Sequence, residues 1–279
     1  SEMCIRDRYN SLNSFTGDNL DICFEDITQG WLLNYESWLR AKGNKETTIS
    51  IQFRTLRSVY NKAIKRKCVG KEYYPFEDFH INKFNVHTDK RAISKNDVLK
   101  IISADLTGKS EYVKFSRDIF VFSYLCGGIN FCDVASLTKE NILNGRLSYV
   151  RQKTGKQINL CLTKNASAII DKYYKGGKGF LFPILDITRH ITATQKENRL
   201  HKVLGQVDKS LKIIAQIAKV DVNLTTYVAR HSYATVLKRS GVPTSIICES
   251  LGHSSERVTQ IYLDSFENEQ IDEAMKNLL

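Results

Sequence analysis

Apolar positions recur at helical spacing along most of the chain and alternate in one short stretch. Trp31, Leu32, Tyr35, Trp38 and Leu39 fall three and four residues apart, which predicts a helix over 26–41 with Asp26 or Thr28 as its cap. Ala41-Lys-Gly-Asn44 reads as a turn. A second helix is expected over 46–67, with Ile49, Phe53, Leu56, Tyr60 and Ala63 on one face. Arg54, Arg57, Lys62, Lys65, Arg66 and Lys67 fill much of the rest of that helix. An apolar stripe opposite a basic flank suits a small helical domain lying on DNA, although a solvated basic face gives the same pattern. By contrast, Ser1–Arg8 has no helical or strand period and is expected to be a non-native start, with the coherent pattern opening at Tyr9.

Residues 83–90 are polar, charged and aperiodic, and predict a linker between a helical domain (9–82) and a second domain (91–279). Ser94, with Asp97 three residues on, signals a helix start. Further helices are expected over 110–126 and, past the Gly127-Gly128 break, over Asp133–Leu137. Alternation then appears in Leu147–Arg151 and Gln157–Leu162, flanking Lys153-Thr-Gly-Lys156: a β-hairpin with a basic tip. Helices resume at 164–174, 196–219, 229–240, 243–250 and 255–263. Pro243 sits at a helix start and Gly252 just past a helix end, as both residues prefer. The closing segment, 265–279, is acidic, with Phe266, Ile271, Ala274, Met275 and Leu278 on one stripe, a pattern suited to docking in a protein groove. The fold class is therefore mainly α with a small β-hairpin or sheet (α+β).

Composition narrows the function. Lys and Arg total 41 against 30 Asp and Glu, a net charge of +11. Such a surplus favours a polyanionic partner, because each neutralised phosphate releases counterions. The longest apolar stretch, Ile119 to Val134, is interrupted by Ser123, Gly127, Gly128, Asn130 and Asp133, and is too short to span a bilayer. No secretory signal is seen at the start of the chain, and a cytoplasmic location is expected. The seven cysteines form no CxxC pair; Cys126, Cys132, Cys161 and Cys248 lie among apolar residues and are expected as core hydrophobes in a reducing compartment. No zinc-ligand spacing occurs, and neither a metal nor another cofactor is expected.

The chain also lacks a GxxxxGK[ST] phosphate loop, a GxSxG motif and an acidic cluster suited to two Mg²⁺ ions. An enzyme acting on DNA without these would use a metal-free covalent route. Such a route needs a nucleophile, which tyrosine supplies; fixed cations around the non-bridging oxygens, which arginine supplies; and an acid for the leaving oxygen, which lysine or histidine supplies. Thr225-Thr-Tyr-Val-Ala-Arg-His-Ser-Tyr-Ala-Thr235, then Leu251-Gly-His-Ser-Ser255, then Tyr262, places these residue types in order on short helical segments.

These segments resemble the C-terminal signature of the tyrosine recombinases, the phage integrase family. Arg230-His231 resembles the family's second-arginine box, Leu251-Gly-His253 the box with its late histidine, Tyr262 its nucleophile, and Lys153 its hairpin lysine. Residues 44–67 and Lys90-Arg-Ala-Ile-Ser94 are similar to the core-binding domain and domain junction of integrases from Bacteroides-type mobile elements. The resemblance implies a helical SAM-like core-binding domain, here N-terminally shortened by a helix, joined to a recombinase catalytic domain. It implies cleavage and rejoining of DNA through a 3′-phosphotyrosine on Tyr262. Arg230 and His253 would stabilise the transferring phosphate and Lys153 would protonate the leaving oxygen, with Lys156 on the same turn as a competitor or DNA contact. It further implies double-stranded DNA as partner, a homotetramer on two duplexes with 265–279 docked on a neighbour, and accessory DNA-bending or excision proteins, without ATP or metal.

Two positions depart from the family pattern. Asn130 stands where the first arginine belongs, in Gly127-Gly-Ile-Asn-Phe-Cys-Asp133, and Tyr227 stands where a histidine precedes the second arginine by three. Three readings compete for Asn130: Arg151 or another arginine substitutes, the branch works with one arginine, or the chain is a catalytically impaired DNA-binding protein. A type IB topoisomerase-like enzyme, which relaxes DNA without exchanging partners, is the other alternative.

Overall fold

A computed structural model describes residues 2–86, 91–177, 179–260 and 263. The chain divides into two compact units, Ser1–Asp89 and Lys90–Leu279.

In the first unit, helix α1 (Glu2–Phe15) precedes α2 (Gln29–Ala41) and α3 (Glu46–Lys65). The opening residues thus form a helix, contrary to the expectation of an aperiodic start and a missing first helix. Ile5, Tyr9, Leu12 and Phe15 are spaced by four and three, a stripe visible only when the window runs past Arg8. Leu12 and Phe15 pack on the unit's core, Phe15 edge-on to Trp31 with ring centroids 5.1 Å apart, and Ser11 shares a 2.9 Å hydrogen bond with the Tyr35 hydroxyl. The Thr28 side chain caps α2 by accepting the Trp31 N–H. On α3, Ile49, Phe53, Leu56, Tyr60 and Ala63 are buried, while Arg54, Arg57, Lys62 and Lys65 are exposed. The helix stops at Lys65; Arg66 is its C-cap and Lys67 takes a left-handed conformation at φ +58°. Phe84 is 3% exposed and stacks on Phe53, so the run expected as linker begins inside this core. Its aromatic ring outweighs the polar residues around it.

The second unit is built around α5 (Glu111–Leu125), which packs against α7 (Lys164–Tyr173), α8 (Ala193–Ile217) and α9 (Thr226–Arg239). Ile119, Phe120, Val121 and Phe122 are all buried, as befits a helix covered on several sides. Asp118 ties α5 to α7, accepting from Lys172 Nζ at 2.6 Å and the Tyr173 hydroxyl at 2.8 Å. Helix α4 (Lys95–Ser103) starts at Ser94, whose side chain accepts the Asp97 N–H. Just before it, the Ile93 N–H donates to Ser232 Oγ (3.0 Å), and that hydroxyl donates to the Val228 carbonyl on α9 (2.8 Å).

The sheet has three antiparallel strands in the order β1 (Ile142–Leu143), β2 (Arg146–Val150), β3 (Gln157–Cys161). The short β1 adds one strand to the expected hairpin. It turns into β2 through Asn144-Gly145, both at positive φ, the combination a two-residue hairpin of type I′ needs. Leu147, Tyr149 and Ile158 point into the core. The same alternation turns Gln157, Asn159 and Cys161 outward, so Cys161 is exposed rather than a core residue; Cys126 and Cys248 are buried and Cys132 is half-buried. Helices α6 (Phe131–Ser136), α10 (Thr244–Ser250) and α11 (Glu256–Gln260) complete the described elements. The apolar stripe expected at 265–279 lies outside the described residues.

Candidate active site

Between α5 and α6 the chain turns through Gly127-Gly128, at φ +72° and +63°. A side chain at Gly128 would meet α9 at once: a Cβ there would stand 2.6 Å from Cα of Arg230 and 2.9 Å from its Cβ and Cγ. Glycine therefore lets the turn lie directly on the base of Arg230. The Gly128 carbonyl accepts from Arg230 Nη1 at 2.8 Å. Arg230 itself is 2% exposed, among the largest fully buried side chains of the chain.

The end of α10 gathers the other cations. The carbonyls of Leu251, Gly252 and His253 follow its last residue, Ser250, at the negative end of the helix dipole. Arg230 Nη2 donates to the Leu251 carbonyl, Arg151 Nη1 to the Gly252 carbonyl at 2.9 Å, and Lys156 Nζ to the His253 carbonyl. Three cations, two from the hairpin and one from α9, thus converge on three consecutive carbonyls. Among the described residues, no ion pair joins Arg151, Lys153 or Lys156 to a carboxylate, and main-chain carbonyls hold Arg151 and Lys156 without cancelling their charge. Gly252, at φ +62°, permits the close approach, since a Cβ there would fall 2.7 Å from Ile158 Cδ1 and 3.3 Å from Arg151 Cδ.

Arg151 directly follows β2 and is 3% exposed; its Nε is buried without a hydrogen-bond partner among the described residues. Near it, buried Asp133 accepts the Gln152 N–H at 3.0 Å and fixes the hairpin tip against α6. Burial raises the Asp133 carboxyl above its ordinary range, against the opposing pull of the Gln152 N–H, Arg151 and Arg230. The tip itself is tight: Gly155 N–H donates to the Arg151 carbonyl at 2.8 Å, and Arg151 N–H to the Lys156 carbonyl at 2.8 Å. It carries Lys153, exposed to solvent.

His253 is 2% exposed, with Nε2 3.0 Å from Arg230 Nη2 and Nδ1 3.0 Å from Thr259 Oγ1. Its pKa is pushed down to about 3, first by burial and then by Arg230, Arg151, Lys153 and Lys156. The ring is therefore neutral at physiological pH, hydrogen-bonded through both nitrogens. All four cations of the sequence-derived shell lie within electrostatic reach of it.

Tyr227 and Asn130 occupy the two divergent positions. Tyr227, at the start of α9, is 41% exposed and meets the His231 ring edge-on, centroids 4.9 Å apart. Asn130 precedes α6 as its N-cap residue and is half-buried, but its side chain makes no cap hydrogen bond. Tyr262 lies outside the described residues; Thr259, three residues earlier, and Leu263 are both buried. Thr259 and Gly128 escaped sequence reasoning as site residues. Only the Gly-Gly pair signalled a tight turn, and no spacing marks a threonine that a histidine will reach.

In the first unit, Arg54 and Arg57 line two adjoining surface hollows, one with His80 and Asn82, the other with Ser58, Asn61, Lys62 and Lys65. Arg66 and Lys67 are exposed past the helix end and belong to neither lining.

The phage integrase SAM-like domain model matches residues 3–85, a match that includes α1, and the phage integrase family model matches residues 91–269. The chain belongs to the phage integrase family and is an enzyme of the tyrosine recombinase class. It is 24% identical over 248 residues to tyrosine recombinase XerD of Halalkalibacterium halodurans, covering 85% of this chain and 77% of that one. Tyrosine recombinase XerC of Pediococcus pentosaceus is 26% identical over 269 residues, covering 92% and 83%. Among solved structures, the fold is shared with the Tn1549 transposon integrase in complex with a circular intermediate DNA (TM-score 0.68, 16% identity, 99% of this chain and 94% of that one). It is also shared with a lambda integrase dimer bound to a core site (TM-score 0.67, 15% identity, 96% and 93%).

Proposed function

We propose that the chain cleaves and rejoins duplex DNA at specific sites through Tyr262, for integration or excision of a mobile element. The observation that carries this reading is the convergence of Arg230, Arg151 and Lys156 on the carbonyls of residues 251–253, around a neutral His253. Fixed cations held by dipoles form an anion site, and one that needs no reorganisation as charge develops. The phenolic oxygen of Tyr262 forms a bond to the scissile phosphorus while its proton passes to solvent. The bond to the 5′-oxygen breaks, and Lys153 protonates that oxygen. A 5′-hydroxyl of the partner duplex then attacks the 3′-phosphotyrosine, its proton passing to Lys153, and the released tyrosine oxygen regains a proton from solvent. One phosphoester replaces another at each step, so the exchange runs without ATP.

Arg151 takes the part of the missing first arginine in this scheme. Its buried Nε, without a hydrogen-bond partner among the described residues, is a charged donor next to the site, a role the uncharged Asn130 cannot fill. Tyr227 supplies a phenolic hydroxyl in place of the family's early histidine. The first unit is the core-site-binding domain, with Arg54, Arg57, Lys62 and Lys65 on backbone phosphates and Arg66 and Lys67 extending that basic edge. A homotetramer on two duplexes is proposed from the lambda integrase tetramer solved on a Holliday junction, whose fold this chain shares at TM-score 0.64. No helix among the described residues is long and apolar enough to cross a membrane, and the cytoplasm is the proposed compartment.

A nicked suicide substrate tests the scheme. A denaturant-resistant protein–DNA adduct that disappears in Tyr262→Phe is expected, whereas no adduct with the unsubstituted chain would leave only DNA binding. Transfer of strands between two duplexes separates a recombinase from a topoisomerase-like activity.

A further inference from the structure

We propose that Thr259 is a positioning residue for this site: its hydroxyl holds His253 in the Nδ1–H tautomer, keeping Nε2 as an acceptor toward Arg230. A guanidinium has donors only. With Arg230 Nη2 3.0 Å from Nε2, that nitrogen must present its lone pair. The ring proton then sits on Nδ1, and Thr259 Oγ1, 3.0 Å away, accepts it. The other tautomer would set an N–H against the guanidinium. Thr259 is 0% exposed and His253 2%, so exchange with water offers no easy substitute for either bond.

The consequence reaches beyond the imidazole. Thr259 belongs to α11 and stands three residues before Tyr262. Its bond to His253 continues through Arg230 to the Gly128 carbonyl. One chain of hydrogen bonds therefore runs from the segment leading to the nucleophile, through both phosphate-facing groups, to the glycine turn. Removing the hydroxyl takes from the buried Nδ1 proton the acceptor that the described residues give it. The ring then changes tautomer or rotates, and either change withdraws the acceptor that orients Arg230.

The catalytic part of this proposal rests on the proposed function; the tautomer does not, and the test separates them. In the DNA-free protein, ¹⁵N-resolved NMR of the imidazole is expected to show Nδ1 protonated and Nε2 bare. Thr259→Val is expected to give the Nε2–H form or a mixture, and Thr259→Ser the original tautomer. On a nicked substrate, Thr259→Val should slow adduct formation about tenfold, the scale of one lost hydrogen bond, with DNA affinity unchanged. Thr259→Ser should restore the rate. Adding Thr259→Val to His253→Gln should cost little more, because the coupling runs through that ring. An Nε2–H tautomer in the unsubstituted protein, or Thr259→Val retaining both the Nδ1–H form and the full rate, overturns the proposal. If the unsubstituted chain forms no adduct, the recombinase scheme fails while the NMR comparison still decides the tautomer.

Discussion

Replacing Gly128 with alanine probes the contact on which Arg230 rests. Two costs arise. The backbone stays left-handed at φ +63°, which a side chain tolerates at about 1–2 kcal/mol. The added methyl also lands 2.6 Å from the Arg230 Cα, so the turn or α9 must move, an overpacking cost of about 1–3 kcal/mol. Together they predict about 2–5 kcal/mol. In a unit of this size each kcal/mol lowers Tm by roughly 2–4 °C, so the expected drop is about 4–20 °C. Gly145→Ala is the matched control: φ is +73°, but a methyl there meets no atom within 4 Å, leaving only the backbone cost of about 1–2 kcal/mol. Calorimetry of both variants isolates the steric part. A suicide-substrate assay at a temperature where both are folded should then show slower adduct formation for Gly128→Ala alone, because α9 and its arginine have shifted. Equal Tm losses with equal cleavage rates would refute the close-approach argument.

Other outcomes follow from the same geometry. The folded-state pKa of His253 lies near 3, below its ordinary value of 6.5, so the unfolded chain binds the extra proton between those limits; this contribution is full above pH 6.5 and lost as pH falls toward 3. Denaturant titrations between pH 4 and 6 should show a slope of at most about 1.4 kcal/mol per pH unit from this group, absent in His253→Gln. Substituting both Arg54 and Arg57 with alanine should weaken binding across DNA sequences and reduce the slope of log affinity against log salt by about 2, measured by anisotropy; an unchanged slope would remove α3 from the DNA interface. Arg151→Ala should cut adduct formation by ~10²–10³, the loss expected of an electrostatic donor, and an undiminished rate would eliminate it as the substitute arginine. Phe15→Ala should destabilise the first unit by about 2–3 kcal/mol, less than a fully buried phenylalanine would. The two tryptophans of the chain, Trp31 and Trp38, both belong to that unit, so their fluorescence reports its urea transition alone.

The helices and the hairpin were legible because their signals are local. Amphipathic spacing marked α2 and α3, the Ser94–Asp97 pair marked α4, and alternation marked β2 and β3. The miss at the N-terminus came from reading Ser1–Arg8 apart from Leu12 and Phe15, which complete its stripe. Phe84 was misplaced because its burial depends on Phe53, distant in sequence; Cys161 was misplaced although the local alternation of β3 already sets it on the outer face. The same limit applies at the site. Residue types and order pointed to Arg230, His253 and Lys153, but the carbonyl row at 251–253, the stacking of Gly128 on Arg230 and the Thr259 partnership exist only once α6, α9, α10 and the hairpin meet. Main-chain acceptors leave no mark in a sequence.

The hydrogen bond from Ile93 to Ser232 spans 139 residues. During synthesis at ~5–20 residues per second, about 7–28 s pass between the emergence of its donor and of its acceptor. The first unit's core ends at Phe84 and is complete before that interval begins. Arg230 of helix α9, by contrast, must wait for Leu251 and His253 to complete its set of partners. The two units therefore mature at different times on the ribosome, and the basic surface of α3 is in place well before the segment carrying Tyr262 has been made.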